Sequence, residues 1–164
     1  MTTIRPAQTA DVNDITEIFN EAILKTTASF FLEPRTVDDM THWLTSHDQR
    51  HPVIVAEFNS GVVGWASLTK WSEREAYDGT AETSFYVRES HRGQGIGRQL
   101  KQTIIEEARR LGYHTLIARM AEGSDASRHL NEQFGFQFVG TLKEVGLKFG
   151  QLLDVHIYQL MLKQ

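Results

Sequence analysis

The residues best suited to binding an anion lie in one glycine-rich segment, Arg92-Gly93-Gln94-Gly95-Ile96-Gly97-Arg98. Glycines leave backbone N–H groups uncovered, and the two arginines add fixed positive charge. A strand pattern precedes the segment and a helical pattern follows it, so the N–H groups lie at a helix N-terminus, where phosphates bind. The spacing matches neither a P-loop nor the dinucleotide fingerprint. The segment therefore predicts a phosphate or pyrophosphate site, or else a turn that only joins strand to helix.

The strand predicted before this segment, at residues 80–87, carries a carboxylate near its start. Side chains alternate between the two faces of a strand. One face has Glu82, Ser84 and Tyr86, and the other has Thr83, Phe85 and Val87. Glu82 therefore lies among partly apolar neighbours on the strand that leads to the predicted anion site.

Regular patterns in the rest of the chain predict the elements that position these residues. Helices are expected from an N-cap at Thr9 to about Thr26, from a capping box at 36–39 through Leu44, at 96–111 and at 126–134. Strands are expected at 4–6, 53–58, 62–69, 80–87, 115–120, 136–139 and 153–162, with a hairpin at Asn59-Ser60-Gly61. The order β-α-α-β-β-β-α-β-α-β-β contains hairpins and one strand-helix-strand crossover. It predicts an α/β fold with a mixed sheet and helices on both faces.

Length and composition restrict the class of protein. The 164 residues suit a single domain spanning 1–164. A net charge of 17 − 21 = −4 is unfavourable for general nucleic-acid binding. The absence of cysteine excludes disulfides, thiolate metal sites and a cysteine nucleophile. No basic-then-apolar leader and no apolar run of about 18 residues is found, so a soluble, cytoplasmic protein is expected.

Two further chemistries are not expected from the sequence. The seven histidines lack the spacing of a metal site, since the pair His47 and His51 has no third ligand nearby. No Gly-x-Ser-x-Gly elbow is present, which disfavours a covalent acyl-enzyme. No metal and no covalent acyl-enzyme are therefore predicted.

The hexapeptide at residues 92–97 resembles the Arg/Gln-x-x-Gly-x-Gly/Ala signature of the GNAT superfamily of N-acetyltransferases. Within it, the chain is similar to the phosphinothricin and methionine sulfoximine acetyltransferases. The matching segments are Ala76-Tyr77, residues 80–87, residues 144–150, Leu153-Asp154-Val155 and Gln159-Leu160. The resemblance implies a mixed, mostly antiparallel sheet and acetyl-CoA as cosubstrate.

The resemblance also implies roles for residues near the predicted anion site. Pantetheine is expected along Phe85, Tyr86 and Val87, and the pyrophosphate over Arg92, Gly93, Gln94, Gly95, Ile96, Gly97 and Arg98. Glu82 is expected to act as general base, with orientation of the substrate ammonium as the alternative. Many family members have a tyrosine that protonates the CoA sulfur where this chain has Asn131, which leaves solvent or the substrate ammonium as the proton source. Ser124 and Asn131 are expected to contact the cofactor.

The acceptor is expected to bind near the loop before the catalytic strand. Candidate residues are Phe30, Arg74, Glu75, Ala76, Tyr77, Glu82 and Ser84, with Phe31 as a further aromatic. An arginine fork matches an α-carboxylate, which favours Arg74 as its partner, although a solvated loop arginine is the alternative. The resemblance implies a homodimer, with Lys148, Phe149 and Asp154 at the interface.

The predicted function is acetylation of the α-amino group of small amino-acid analogues, with methionine sulfoximine, methionine sulfone and phosphinothricin as substrates. Two alternatives remain at this stage. One is acetylation of a protein or peptide amine, and the other is a non-catalytic acyl-CoA-binding module. No nucleic-acid or membrane partner is expected.

Overall fold

The computed structural model describes residues 1–162, in which helices pack against a central sheet. Its strands are β1 (Thr3–Pro6), β2 (Val53–Phe58), β3 (Gly61–Lys70), β4 (Thr80–Val87), β5 (Thr115–Ala121), β6 (Gln137–Lys148) and β7 (Gln151–Met161). Its helices are α1 (Val12–Lys25), α2 (Val37–Ser46), α3 (Ile96–Arg110) and α4 (Asp125–Gln133). The order of elements is the predicted one.

The strands of the described residues form one sheet in the order β1-β2-β3-β4-β5-β7-β6. Neighbouring strands are antiparallel except β4 and β5, which are parallel and joined by α3. The predicted mixed, mostly antiparallel sheet is therefore confirmed. The parallel pair lies in the middle of the sheet, between β3 and β7.

Apolar side chains are buried on each face of the sheet. On one face, α1 and α2 cover a cluster that includes Ile15, Ile18, Ile23, Met40 and Trp65. On the other face, α3 covers a cluster that includes Leu100, Ile104, Leu116 and Phe136. Each large apolar side chain buried in this way contributes about 1.5–3 kcal/mol. α1 and α3 pack against β4 from opposite sides, as expected for helices on both faces.

Two local signals in the sequence fold as predicted. The Asp39 N–H donates to Thr36 Oγ1 at 3.0 Å and the Thr36 N–H donates to Asp39 Oδ2 at 3.0 Å, which completes the capping box of α2. Between β2 and β3, Asn59 and Ser60 have φ of 50° and 66°, the left-handed conformation that a two-residue hairpin turn requires. The capping box fixes where α2 starts, and the turn at Asn59 and Ser60 fixes where β2 ends and β3 begins.

The start of the first helix differs from the prediction. Thr9 is not its N-cap, because Thr9–Asp11 form a 3₁₀ turn and α1 begins at Val12. The Asp11 carboxylate accepts the Gln8 N–H at 2.7 Å and two hydrogen bonds from Arg5 of β1, each at 2.9 Å. This carboxylate binds both the helix start and a strand, which a threonine hydroxyl cannot do.

The final hairpin is longer than predicted. β6 runs from Gln137 to Lys148, whereas the pattern gave 136–139, and the other strand and helix boundaries agree within two residues. Lysine, glutamate and glycine in residues 143–146 are weak strand formers and hide the strand. Pairing with β7 overrides this preference, with a bulge between Leu142 and Gly146.

Candidate functional site

β4 and β5 separate in the middle of the sheet. They pair only at Thr80, Ala81 and Glu82 of β4, opposite residues 115–117 of β5, whereas β4 pairs with β3 up to Val87. Beyond Glu82, backbone N–H and C=O groups on the β5 side of β4 have no strand partner in the described residues. Unpaired groups along a strand edge can bind an extended ligand. The opening between the strands is therefore a site for a chain-like molecule.

A cavity of about 550 Å³ lies on the side of this opening covered by α1 and α2. Its lining includes Glu82, Ser84 and Tyr86 of β4, Ser67 and Thr69 of β3, Arg119 of β5, and the aromatic rings of Phe30 and Phe31. The predicted shared face of Glu82, Ser84 and Tyr86 is confirmed. The size and the mixture of aromatic and polar groups suit a small-molecule ligand.

Glu82 is paired with Arg119 at the edge of the cavity. Arg119 Nε lies 2.6 Å from Glu82 Oε2, and Nη2 lies 2.8 Å from Oε1. The Glu82 side chain is 16% exposed and the Arg119 side chain is 50% exposed. The hydrogen bonds from Arg119 to Glu82 raise the pKa of Arg119, so it stays charged. Both carboxylate oxygens of Glu82 therefore already accept a hydrogen bond from a charged partner.

Tyr86 forms an aromatic wall next to this pair. Its ring lies 5.1 Å from the Phe19 ring and 4.9 Å from the Trp65 ring, and its hydroxyl donates to the Ala28 carbonyl at 3.4 Å. Burial raises the pKa of Tyr86, and the negative charge of Glu82 raises it further. The phenol therefore keeps its proton and acts as a hydrogen-bond donor.

The glycine-rich segment has the backbone expected of an anion cradle. Gly93 and Gly95 have φ of 75° and 81°, and a Cβ at either position would meet no atom within 4 Å. These positions therefore favour glycine because of their left-handed backbone conformation, and not because a side chain would collide with its neighbours. Gly95 is the N-cap of α3, so the free N–H groups and dipole of the helix face the open side. The predicted strand-turn-helix arrangement is confirmed.

The two arginines of this segment differ. Arg92 is exposed, with Nε 3.4 Å from the Val87 carbonyl. Arg98 donates to Gln133 of α4, and its guanidinium lies 5.4 Å from the Phe134 ring. Arg92 is thus free to turn toward an anion, whereas Arg98 also ties α3 to α4.

Asn131 is a buried residue of α4. It is 1% exposed, and its Nδ2 donates to the Ser127 carbonyl at 2.9 Å while its Oδ1 has no partner. A buried polar atom without a partner is unfavourable unless a ligand satisfies it. Ser124, at the N-cap of α4, lies in a separate small depression. The predicted cofactor contacts of Asn131 and Ser124 both stay predictions.

The predicted acceptor residues fall into two groups. Phe30, Glu82 and Ser84 line the cavity, and the Phe30 ring lies so close to Gly146 of β6 that a Cβ there would overlap it. The loop with Arg74, Glu75, Ala76 and Tyr77 is exposed and does not line the cavity. Its role in binding the acceptor stays a prediction.

The residues predicted at a dimer interface are mostly bonded within the chain. Lys148 is buried and its Nζ donates to the Ser29 carbonyl at 2.5 Å. Asp154 accepts Lys143 Nζ at 2.9 Å and the Glu144 N–H at 2.8 Å. Phe149 is 58% exposed at the hairpin turn. Of these three residues only Phe149 is exposed, and the homodimer itself stays a prediction.

Sequence reasoning missed two cationic residues around β4. Arg119 is two residues after Ile117, which pairs with Glu82, so strand alternation puts both arginine and glutamate on the cavity side. Lys101 occupies the helical spacing of Gly97, Ile104 and Ala108, and is 1% exposed. A lysine at an apolar position of a helix was the available signal.

Neither a metal site nor a membrane helix is found in residues 1–162. No group of three or more histidine, cysteine, aspartate or glutamate side chains there is arranged to hold a metal ion. No helix of the same residues is long and apolar enough to cross a membrane.

Comparison with known proteins identifies the family. The model of the Acetyltransferase (GNAT) family matches residues 14–136. An L-methionine sulfoximine/L-methionine sulfone acetyltransferase from Pseudomonas aeruginosa is 40% identical, covering 97% of this chain and 94% of the relative.

Two solved structures have the same fold. A phosphinothricin acetyltransferase from Sinorhizobium meliloti in complex with acetyl-CoA has a TM-score of 0.93 and 30% identity, covering 98% of this chain and 88% of that one. A ribosomal-protein-alanine N-acetyltransferase from Brucella melitensis has a TM-score of 0.95 and 38% identity, covering 98% of this chain and 99% of that one. The opening beside β4, the glycine cradle at α3 and these likenesses together show that the chain belongs to the GNAT family and is an N-acetyltransferase.

Proposed function

We propose that this enzyme acetylates the α-amino group of small amino-acid analogues, with acetyl-CoA as the acetyl donor. The observation that carries the proposal is a cavity of about 550 Å³ with Glu82 in its wall, directly beside the opening between β4 and β5. A carboxylate at that junction can meet both an acceptor amine from the cavity and a thioester from the opening.

The residues at the opening fit acetyl-CoA. We propose that the N–H groups of Gly93–Gly97 and the Arg92 side chain bind its pyrophosphate, and that free backbone groups of Phe85–Val87 bind its pantetheine. The unpartnered Oδ1 of Asn131 is a hydrogen-bond acceptor for the same ligand. When bound, acetyl-CoA supplies the activated acetyl group.

Glu82 carries the proton chemistry in this proposal. An amine attacks a thioester only as the neutral base, so the acceptor ammonium must lose a proton. The Glu82 carboxylate takes that proton, directly or through water, after its ion pair with Arg119 opens. Tyr86 and Trp65 exclude water from one side of the amine and orient it.

The relatives support a small acceptor with a tetrahedral sulfur or phosphorus centre. One relative is named for methionine sulfoximine and methionine sulfone, and a structural neighbour is named for phosphinothricin. We propose these three compounds as substrates. The proposal includes a cytoplasmic location, since acetyl-CoA is an anionic thioester that does not cross membranes unaided.

Peptide amines are the second candidate acceptor. The observation in their favour is the name of the Brucella neighbour, a ribosomal-protein-alanine N-acetyltransferase. A peptide N-terminus and an amino-acid analogue both present an α-amine, but only the second presents a carboxylate on the same carbon. Competition between the two classes therefore separates the candidates.

A homodimer is also part of the proposal. β6 is an edge strand of the sheet. Its hairpin with β7 has six apolar side chains that are each more than half exposed: Phe138, Val139, Val145, Leu147, Phe149 and Leu152. An apolar edge of this kind is unfavourable in water unless another surface covers it. We propose that a second copy of the chain covers it.

The test is thiol release from acetyl-CoA with methionine sulfone, methionine sulfoximine, phosphinothricin, methionine and a mixed peptide pool. We expect turnover of the first three and little turnover of methionine. Glu82→Gln should lower kcat/KM by about 10²- to 10⁴-fold, the usual contribution of a general base.

The matched control is Glu107→Gln, which removes another carboxylate paired with an arginine, on α3 and outside the cavity. It should leave kcat/KM unchanged. Preferential turnover of the peptides would replace the proposed acceptor, and full activity of Glu82→Gln would remove Glu82 from the proton transfer.

A further inference from the structure

Arg119 has no role in the chemistry derived above, yet it is the closest cation to Glu82. Its guanidinium makes two nearly parallel hydrogen bonds to the Glu82 carboxylate, at 2.6 and 2.8 Å, and lies 5.5 Å from the Trp71 ring. The fork is therefore already shaped to bind a carboxylate. Half of its side chain remains exposed, so it can be reached from the cavity.

The acceptor proposed for this enzyme carries both charges of that pair. In an α-amino acid the ammonium and the carboxylate are attached to one carbon, so their protein partners must lie within a few ångströms of each other. Glu82 and Arg119 are in direct contact. Arg74 does not line the cavity, and Arg35, which does, lies 3.8 Å from Asp39 and 4.6 Å from the Phe31 ring centroid.

We propose that Arg119 binds the α-carboxylate of the acceptor, and that the Glu82–Arg119 ion pair is exchanged for one contact with the acceptor ammonium and one with its carboxylate. This inference rests on the proposed function and names the acceptor group that determines specificity. No covalent step is added, since the exchange only replaces hydrogen-bond partners.

The geometry makes this exchange inexpensive. Half of the Arg119 side chain is already in water, so water can replace Glu82 as its partner when the pair opens, whereas the Glu82 side chain is 16% exposed and needs a new partner. In the empty cavity the pair keeps both charges satisfied. When the acceptor binds, Glu82 is released from Arg119 at the same time as the ammonium arrives beside it. Acceptors without a carboxylate leave Arg119 on Glu82 and therefore keep the base engaged.

The experiment compares L-methionine sulfone with 3-(methylsulfonyl)propylamine, which has the same side chain and amine but no carboxylate. We expect the wild type to prefer the amino acid. Arg119→Gln should raise KM for the amino acid by about 10- to 100-fold, the effect of losing a charge-assisted bidentate contact. It should not raise KM for the amine, which has no carboxylate to lose a contact and no longer competes with Arg119 for Glu82. Arg119→Lys keeps the charge but not the planar two-pronged donor, so its KM for the amino acid should lie between those of the wild type and Arg119→Gln.

Two further variants make the comparison decisive. Arg110→Gln removes an arginine paired with Glu107 at 2.7 Å, outside the cavity, and should change neither KM. Arg74→Gln tests the loop arginine directly. Loss of preference for the amino acid in Arg74→Gln, with Arg119→Gln unchanged, would assign the carboxylate to Arg74 and overturn the inference.

The outcomes also separate this inference from the proposed function. An active wild type whose selectivity survives Arg119→Gln overturns the role of Arg119 and leaves the function standing. A wild type that acetylates neither compound, while acetylating peptides, overturns both. Isothermal titration of methionine sulfone into each variant supplies a readout independent of turnover, and we expect weaker binding for Arg119→Gln, an intermediate effect for Arg119→Lys and no change for Arg110→Gln or Arg74→Gln.

Discussion

A cationic side chain contacts each face of β4, and the two cations differ in exposure and in hydrogen-bond partner. On the cavity face, Arg119 is half exposed and paired with a carboxylate. On the helix face, Lys101 is buried with no carboxylate partner among residues 1–162, and its Nζ donates to Thr83 Oγ1 at 2.7 Å and lies 4.3 Å from the Phe136 ring centroid. Ion pairing raises the pKa of Arg119, whereas burial lowers the pKa of Lys101 to about 7.

The difference separates a charge that can take part in acceptor binding from a charge that only lowers the stability of the fold. Arg119 can exchange partners because half of its side chain is in water, which replaces Glu82 on that side at little cost when the pair opens. A buried ammonium is costly, because its lost hydration is replaced by one hydroxyl and an aromatic ring. We therefore expect Arg119 to affect acceptor binding with little effect on stability, and Lys101 to affect stability strongly.

The largest effect is expected from Lys101→Met. Burial lowers the pKa of Lys101 from 10.5 to about 7 on folding. Below pH 10.5, folding therefore either removes the proton of the Lys101 ammonium or buries the charged ammonium, and both cost free energy. This destabilisation is fully present below pH 7 and is lost as the pH rises from 7 to 10.5. Lys101→Met should stabilise the protein by at most about 5 kcal/mol near pH 6, with the gain disappearing toward pH 10.

Urea unfolding of both proteins at pH 6, 8 and 10 measures this gain. Lys25→Met is the control, because Lys25 is exposed on α1 and paired with Glu89. Its unfolding free energy should follow that of the wild type at every pH. A gain for Lys101→Met that does not change with pH would mean that Lys101 keeps its proton in the folded protein.

A smaller effect is expected from Thr83→Val, which removes the hydroxyl that binds Lys101. The valine has a similar shape, so the change leaves a buried ammonium without its hydrogen-bond acceptor. We expect a loss of about 1–3 kcal/mol at pH 6. In the Lys101→Met background the same substitution should be nearly neutral, because the hydroxyl no longer has an ammonium to bind.

A double-mutant cycle of these two positions isolates the interaction. Equal losses from Thr83→Val in the presence and absence of Lys101 would show that the hydroxyl stabilises something other than the ammonium. That result would also mean that Lys101 does not depend on Thr83, so the contrast between Lys101 and Arg119 would fail.

The sequence predicts β4, its two faces and the start of α3, but not the cations that contact β4. The alternation along residues 80–87 predicts which side chains face the cavity, and the glycines at 93 and 95 predict the helix N-terminus, because both signals are local. Arg119 meets Glu82 only through the pairing of β4 with β5, which is a property of the fold. The hairpin of β6 and β7 was underestimated for the same reason, since pairing rather than propensity forms it.

The smallest effect is expected on the stability of Arg119→Gln. Because half of the arginine side chain is already in water, its pair with Glu82 contributes no more than about 1 kcal/mol to folding. The unfolding free energy in urea at pH 7 should therefore lie close to that of Arg110→Gln, an exposed pair on α3. A loss of several kcal/mol would mean that the pair holds β4 and β5 together, and a structural pair of that strength could not open for each acceptor. Near-equal stability combined with a raised KM for methionine sulfone instead places the role of Arg119 in recognition, which is the contrast that separates it from Lys101.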